Sequence, residues 1–510
     1  MRSRVTQVLE ALKQRKRNPI PLPHRSIPEP KGQDLDYVNV AYSHLVHSDW
    51  SKLETLASSF TPFRVTHILL KTQKDYLLSL EFFKLVELKN PSSITLDTQS
   101  IMVHILTKYR KFKSAEMILK KIIELRLRML DLPNKVFNAI LYSYRMCDSS
   151  PRVFDALFKT YAHMKKFRLA TDTFCLMKEY GFLPTVESCN AYLSSLMSLN
   201  RVDIALSFYK EMCRSKISPN IYTLNIVICA FCKLGVVEKA VEVFKEMGKM
   251  NISPTVATFN TLIAGYCSQG LVSTGLKLKN LMGRNGLYAN DVTYNTLING
   301  FCKEGKLHEA SKLFSEMKIS NVAPNTVTYN TLINGYSQVG NTDMGGQLFE
   351  EMLVNGIKAD ILTYNALIFG LCKIGKTKKA AYMVKQLDRE NLVPNSSTFS
   401  ALIRGQCTRK NSERALQLYK SMLKCGFHPN EETLTMLTST FIENEDYDGA
   451  VVMLREMIER LIAPNSGILY ELYSGLCQAG KEDMFMDLRR EIEGKRLMPE
   501  GFKKEKSTNL

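Results

Sequence analysis

Apolar residues recur along this chain in two short bursts per 35 residues, divided by a polar turn. In the stretch from Asp291 to Asn325, DVTYNTLINGFCKEGKLHEASKLFSEMKISNVAPN, the apolar positions of Tyr294 to Cys302 and of Leu307 to Met317 each follow a helical period. A charged turn at Gly305 separates the two runs and Pro324 closes the second. The spacing predicts a hairpin of two helices, each about a dozen residues long, and helices that short are marginal on their own. The hairpin must therefore bury its apolar faces against like neighbours, and nearly the same sequence starts again at Thr326. An all-α solenoid of stacked helix-turn-helix repeats is the expected fold.

From Pro151 the register is strict. Repeats begin at residues 151, 186, 221, 256, 291, 326, 361, 396, 431 and 466, so ten repeats of 35 residues run without insertion to Glu500. Glycine returns at the inter-helix turn (Gly235, Gly270, Gly305, Gly340, Gly375, Gly480), where it can take the left-handed conformation that ends a helix. Proline returns just before the next repeat (Pro184, Pro219, Pro254, Pro324, Pro394, Pro429, Pro464, Pro499), and is expected to block continuation of the second helix. Small Ala205, Ala240, Ala310, Ala380, Ala415 and Ala450 suit close helix approach. Seven places on, Met212, Met247, Met282, Met317, Met352, Met422 and Met457 form a stripe expected in the core.

Ahead of the array, residues 63 to 96 and 97 to about 133 each carry two apolar runs, as degenerate hairpins, while Asn134 to Ser150 has room for one helix and a turn. Residues 32 to 62 form a helical lead-in, with Ser48 or Asp49 available to cap a helix containing Trp50, Leu53 and Leu56. At the start, MRSRVTQVLEALKQRKR places Val5, Val8, Leu9 and Leu12 on one helical face and has one acidic residue, Glu10. A basic, amphipathic, acid-poor opening reads as an organelle transit peptide, and its scarcity of serine favours the mitochondrion over the chloroplast; a basic cytosolic arm is the alternative. Prolines 19, 21, 23, 28 and 30 make an extended linker up to residue 31, a place suited to processing. Residues 501 to 510 read as a polar tail, and no appended catalytic domain is expected.

The formal net charge of +18 and pI near 9.2 point to a polyanionic partner, nucleic acid before an anionic membrane surface. No apolar run is long enough for a transmembrane helix. Cys229 and Cys232 make a CxxC, but Cys232, Cys267, Cys302, Cys372, Cys407 and Cys477 share one place in successive repeats, near the end of a first helix. Packing is the better account than ligation, because a metal site needs four converging ligands and no second pair lies nearby. So many unpaired thiols imply a reducing compartment.

The YNTLINGFCKEGK run, the methionine seven residues beyond the alanine and the 35-residue spacing resemble the pentatricopeptide repeat family, strongly over 151 to 500 and weakly over 63 to 150. The resemblance, to the P class, implies a right-handed superhelical solenoid that binds single-stranded RNA in plant organelles alongside organellar RNA-processing proteins. In the family, bases are read by the fifth and last residues of a repeat. Here those pairs are Asn190 with Asn220, Asn225 with Thr255, Asn260 with Asn290, Asn295 with Asn325, Asn330 with Asp360, Asn365 with Asn395, Ser400 with Asn430 and Thr435 with Asn465. The family's base code then implies the target YYYYUYAA. Asp155 with Thr185 and Tyr470 with Glu500 depart from the pattern and are expected to cap the readout. Val292, Val327 and Leu362 fall at the family's base-wedging second place, and Lys233, Lys303 and Lys373 at a phosphate-contacting place.

The residues themselves leave alternatives open. A mid-helix asparagine is a poor helix former, so its return at one offset asks for a reason; an amide that donates and accepts suits an unpaired base, and a bond to its own helix's first turn is the plainer account. Asparagine at the last place suits a helix cap whatever it binds. The lysines also fit an ordinary solvated surface. No HExxH, phosphate-cradling glycine loop or nucleophile elbow is present, so neither catalysis nor a cofactor is expected. The rival to RNA binding is a protein-interaction scaffold, whose groove would vary its residues where this one repeats an amide.

Overall fold

The computed structural model describes residues 19–23, 26–128 and 134–499. The expected leader, residues 1 to 17, and the polar tail from 501 lie outside the described residues. Within them are 27 α-helices, two short 3-10 helices and no strand. The chain forms two compact bodies, Met1–Gly265 and Tyr266–Leu510.

In the N-terminal body, Gln33–Val46 and Trp50–Leu56 lead in, and Pro62–Thr72 with Tyr76–Lys89 and Leu96–Lys108 with Phe112–Arg128 form the two expected hairpins. Lys135–Ser143 stands alone, as the short spacing there predicts. Asp49 occupies the N-cap of Trp50–Leu56 without making a cap bond; it pairs instead with His44 at 3.3 Å and Lys52 at 3.6 Å. The proline-rich segment is docked: Ile20 N–H donates to Glu179 O (2.8 Å), and the Pro28 carbonyl meets His67 Nε2 at 3.1 Å.

From 186 onward both helices of each repeat span 13 residues, as in Asp291–Lys303 and Leu307–Ile319. The turn glycines take φ between 69° and 79°. A second left-handed residue follows each second helix, glycine at 181, 286, 356 and 426 and another residue elsewhere, such as Asn251, Asn321 and Asn391. It is this turn that stops the second helix. The prolines stand after it, immediately before the next N-cap, so they do not block the helix as expected; Ile319 ends its helix five residues short of Pro324.

The methionine stripe is buried throughout, as are the recurring alanines. Edge-to-face aromatic pairs tie one repeat to the next, Phe244 with Phe259 in the N-terminal body and Phe314 with Tyr329 and Phe349 with Tyr364 in the C-terminal one, with centroids 5.3 to 5.6 Å apart. Ion pairs cross repeats on the second helices, Lys178 with Glu211 at 2.6 Å and Lys318 with Glu351 at 2.5 Å.

Successive first helices approach closely at a glycine. A Cβ built on Gly265 would lie 2.3 Å from Cys232 Sγ, on Gly335 2.7 Å from Cys302 Sγ, and on Gly405 2.7 Å from both Cβ and Sγ of Cys372. The recurring cysteine is the small residue against which the next repeat's glycine packs. Gly405→Ala should therefore destabilise the C-terminal body by about 1 to 3 kcal/mol, whereas Gly346→Ala, in a helix with nothing within 4 Å of the added Cβ, should be neutral or stabilising by up to about 1 kcal/mol. Urea titrations followed by far-UV circular dichroism compare the two; equal midpoints would sink the close-approach account.

His104 ties the second degenerate hairpin to the single helix Lys135–Ser143 and the turn that follows it. Its Nε2 lies 2.9 Å from Ile140 O and its Nδ1 2.7 Å from Ser149 Oγ, and burial lowers it from 6.5 to about 4. The folded body holds the ring neutral while the unfolded chain protonates below 6.5, so stability falls as pH drops from 6.5 through about 4. That gap is worth about 3 kcal/mol at about 1.4 kcal/mol per pH unit. His104→Gln should flatten the pH dependence of the urea midpoint over this window, and an unchanged slope would rule the tie out.

Candidate functional site

The first helices that start at 221, 291, 326, 361, 396, 431 and 466 begin behind an asparagine or aspartate N-cap, and this cap builds the site. Asn325 Oδ1 accepts from Thr328 N–H (3.1 Å) while Asn325 N–H donates to Thr328 Oγ1 (3.1 Å), a reciprocal capping box. The Thr328 hydroxyl then donates across to Asn295 Oδ1 of the preceding repeat (2.7 Å), and Asn295 Nδ2 donates to Asn325 Oδ1 (3.3 Å). The fifth-place amide is thus bracketed by the next repeat's first turn, and its bond does not go to its own helix.

The bracket recurs. Asn190 meets Thr223 (2.7 Å) and Asn220 (3.0 Å), Asn330 meets Thr363 (2.5 Å) and Asp360 (2.9 Å), and Asn365 meets Thr398 (2.6 Å) and Asn395 (3.0 Å). At Ser400 the Thr433 hydroxyl lies 2.9 Å away, and it also meets the cap Asn430 at 2.5 Å. Two positions break the pattern for visible reasons. Asn225 faces Thr255, which has no amide; Thr255 Oγ1 meets Thr258 Oγ1 at 3.3 Å, and Asn225 Oδ1 is buried without a partner. Thr435 has no bracket because Ile468 stands where the threonine would be, and Asn465 caps Gly467 N–H instead (2.8 Å). Asn260 is buried in the N-terminal body, and Asn290 caps its helix in the C-terminal body through Thr293 N–H (3.1 Å). Capping at the last place and the bracket at the fifth therefore coexist, and the bracketed Asn365 is, like Asn260, buried.

Asp360 differs from the other caps in charge. Burial works to raise its carboxyl, but donors from the Thr363 backbone, Asn330 and the Thr363 hydroxyl outweigh it and hold the group below the usual carboxylate range. At neutral pH it can only accept, where Asn220 and Asn395 keep an amide NH2.

Val292, Val327 and Leu362 are 50%, 59% and 59% exposed on the same faces. Tyr222, a wedge candidate absent from the sequence reading, holds the same place and is 70% exposed; the fixed register is the signal that points to it. In the C-terminal body a recess of about 560 Å³ gathers Val327, Leu362, Asn330, Asp360, Asn365, Ser400 and Asn430. At its rim the Arg404 guanidinium lies 5.1 Å from the Phe369 ring centroid and is bonded to Glu432. The lysines are outside that recess. Lys233 Nζ donates to Met197 O (3.3 Å) and Lys373 Nζ to Gln338 O, each capping the end of the preceding repeat's first helix, while Lys303 is exposed at its own helix end.

A model of the PPR repeat family matches residues 184–233, 223–268, 254–303, 289–338, 324–373, 359–408 and 394–442, about half of the chain in all. A mitochondrial pentatricopeptide repeat-containing protein of Arabidopsis thaliana is 66% identical over 202 residues, which are 40% of this chain and 38% of that protein. A second mitochondrial one from the same plant is 29% identical over 176 residues, 34% of this chain and 27% of that protein. The chain thus spans under two fifths of the length of these relatives. The crystal structure of the pentatricopeptide repeat protein PPR10 in complex with an 18-nt psaJ RNA element aligns over 91% of this chain and 74% of that one, at 20% identity and a TM-score of 0.48.

If the bracket holds the amides, Thr363→Val should leave Asn330 Oδ1 without its 2.5 Å donor and cost about 1 to 3 kcal/mol. Thr363→Ser, which keeps the hydroxyl, should cost less. Equal urea midpoints for the two variants would show the hydroxyl to be idle.

Proposed function

The chain belongs to the pentatricopeptide repeat family, and from that premise we propose that it is a sequence-specific binder of single-stranded RNA acting in mitochondrial RNA metabolism by occupying its site. The observation that carries the proposal is the fifth-place amide, held at one orientation by the following repeat and set beside an exposed aliphatic or aromatic side chain. An amide so fixed meets a base edge without first losing rotamer freedom, which is where binding from a flexible side chain loses strength. The neighbouring Val292, Val327, Leu362 and Tyr222 offer surfaces for the base faces; an aromatic platform contributes roughly 1 to 3 kcal/mol per base and an aliphatic one less.

The pairs Asn190 with Asn220, Asn225 with Thr255, Asn260 with Asn290 and Asn295 with Asn325 take pyrimidines, Asn330 with Asp360 takes uracil, and Asn365 with Asn395 a pyrimidine. Ser400 with Asn430 and Thr435 with Asn465 take adenine, giving YYYYUYAA. The aspartate is the position whose chemistry is simplest to follow: an ionised carboxylate accepts the N3–H that uracil has and cytosine lacks. Lys233, Lys303 and Lys373 exchange helix-end or solvent contacts for phosphate. Occupancy suffices to protect a transcript end, open a structure, or assist splicing or translation. Mitochondrial placement is supported by the basic amphipathic opening and by the names of the two relatives.

Fluorescence anisotropy with CUCUUCAA and a scrambled octamer tests this. The cognate RNA should bind at least tenfold tighter at physiological salt, and both should weaken as salt rises. Asp360→Asn should erase the preference for uracil over cytosine at the fifth base and leave the other positions alone. No discrimination between cognate and scrambled RNA would reject the proposal.

A further inference from the structure

The repeat that starts at Thr326 departs from its neighbours at two buried places. Ser337 stands at the place of the recurring cysteine, and Gly345 at the place of the recurring alanine. Ser337 is 1% exposed, and its Oγ has no hydrogen-bond partner among the described residues. Gly345 leaves that hydroxyl uncovered: a Cβ built there would lie 3.8 Å from Ser337 Oγ and 3.7 Å from Leu367 Cδ2, in ordinary contact. Gly346 follows, with nothing within 4 Å of its own Cβ position. Leaving a buried hydroxyl unmet is costly, so this one asks for a group to meet it.

Ser337 and Gly346 line a recess of about 580 Å³ between the second helices Thr342–Val354 and Thr377–Arg389. It shares no residue with the recess that holds Asn330 and Asp360. Phe349, Leu367 and Leu371, all buried, and the half-buried Met383 give it an apolar lining, to which Tyr382 adds a ring that is 53% exposed. Charge is sorted by helix. Asp343 and Glu350 come from Thr342–Val354, Lys378 and Lys379 from Thr377–Arg389, and all four are exposed. Asp343 lies 3.8 Å from Lys376, but Glu350, Lys378 and Lys379 make no ion pair among the described residues. The preceding pair of second helices joins its own charges instead, Lys318 with Glu351.

We propose that this recess binds an aromatic α-amino acid as its zwitterion, with tryptophan the best fit. The ammonium meets Asp343 and Glu350, the carboxylate meets Lys378 and Lys379, and the ring fills the apolar lining. The indole N–H donates to Ser337 Oγ and supplies the partner that the protein does not. A tyrosine hydroxyl can do the same, whereas phenylalanine has no donor to offer. A wholly apolar occupant would leave the serine unmet, and a simple anion would face the two carboxylates. Once bound, the zwitterion bridges the two helices and stiffens the junction between the repeats that start at Thr326 and Ile361. The site does not depend on the RNA-binding function proposed above.

Isothermal titration calorimetry of the full chain with L-tryptophan, 1-methyl-L-tryptophan, tryptamine and indole-3-propionate tests this. L-Tryptophan should bind saturably with a Kd below about 1 mM. Its 1-methyl analogue, which lacks the N–H, should bind about fivefold more weakly. Tryptamine and indole-3-propionate each lack one charge and should bind at least about threefold more weakly. Ser337→Ala removes only an unpartnered hydroxyl, so the variant is expected to fold, and it should bring the ratio of tryptophan to its 1-methyl analogue to under about twofold. Gly345→Ala restores the recurring alanine over the hydroxyl and should weaken tryptophan about tenfold without lowering the urea midpoint. No saturable binding of L-tryptophan would overturn the site, as would an affinity unchanged in Gly345→Ala. A ratio that survives in Ser337→Ala would overturn the placement of the ring, and equal binding of tryptophan, tryptamine and indole-3-propionate would overturn recognition of the zwitterion.

Discussion

Every other feature of the array depends on how closely successive first helices approach. A glycine in one helix lies over the cysteine of the helix before it, with no space for even a methyl group at Gly265, Gly335 or Gly405. That contact sets the spacing at which a threonine hydroxyl can cross to the preceding repeat's amide at 2.5 to 2.7 Å. Were the helices an ångström further apart, these would not be hydrogen bonds. Packing at one end of the helix thus determines polar chemistry at the other. Because each helix is 13 residues long, neither contact survives without the neighbour that provides it.

The polar network also shows how a buried face can be specific without being unstable. Thr223, Thr328, Thr363 and Thr398 are fully buried, and each is satisfied by a cap on one side and an amide on the other. Where the cap is Thr255, the third-place hydroxyl of Thr258 meets the Thr255 hydroxyl instead, and Asn225 Oδ1 is left without a partner. The second helices, by contrast, are joined through ion pairs such as Lys178 with Glu211.

Much of this was open to inspection in the sequence because a repeat multiplies weak signals. One glycine is an ambiguous mark, but Gly235, Gly270, Gly305 and Gly340 in register fix a turn, and a methionine stripe in register fixes a core. The single helix at Lys135–Ser143 followed from length alone. What stayed hidden was whatever depends on two repeats at once. The asparagine's partner is 33 residues away in Thr328, beyond any local pattern. The left-handed residue after the second helix is spelled Gly, Asn, Lys, Leu or Arg, so its column has no constant letter. Docking of Ile20 against Glu179 joins segments with no periodic relation.

The shared bracket bears on how such arrays can grow. Duplicating or exchanging one 35-residue block moves a fifth-place residue together with its own helix, yet its orientation is supplied by whichever block comes next. An asparagine inserted ahead of a block like that starting at Ser466, where Ile468 replaces the threonine, would arrive with its amide unanchored. The natural cassette for recombination is therefore offset from the helical hairpin: it starts after the third residue of one repeat and ends with the third residue of the next.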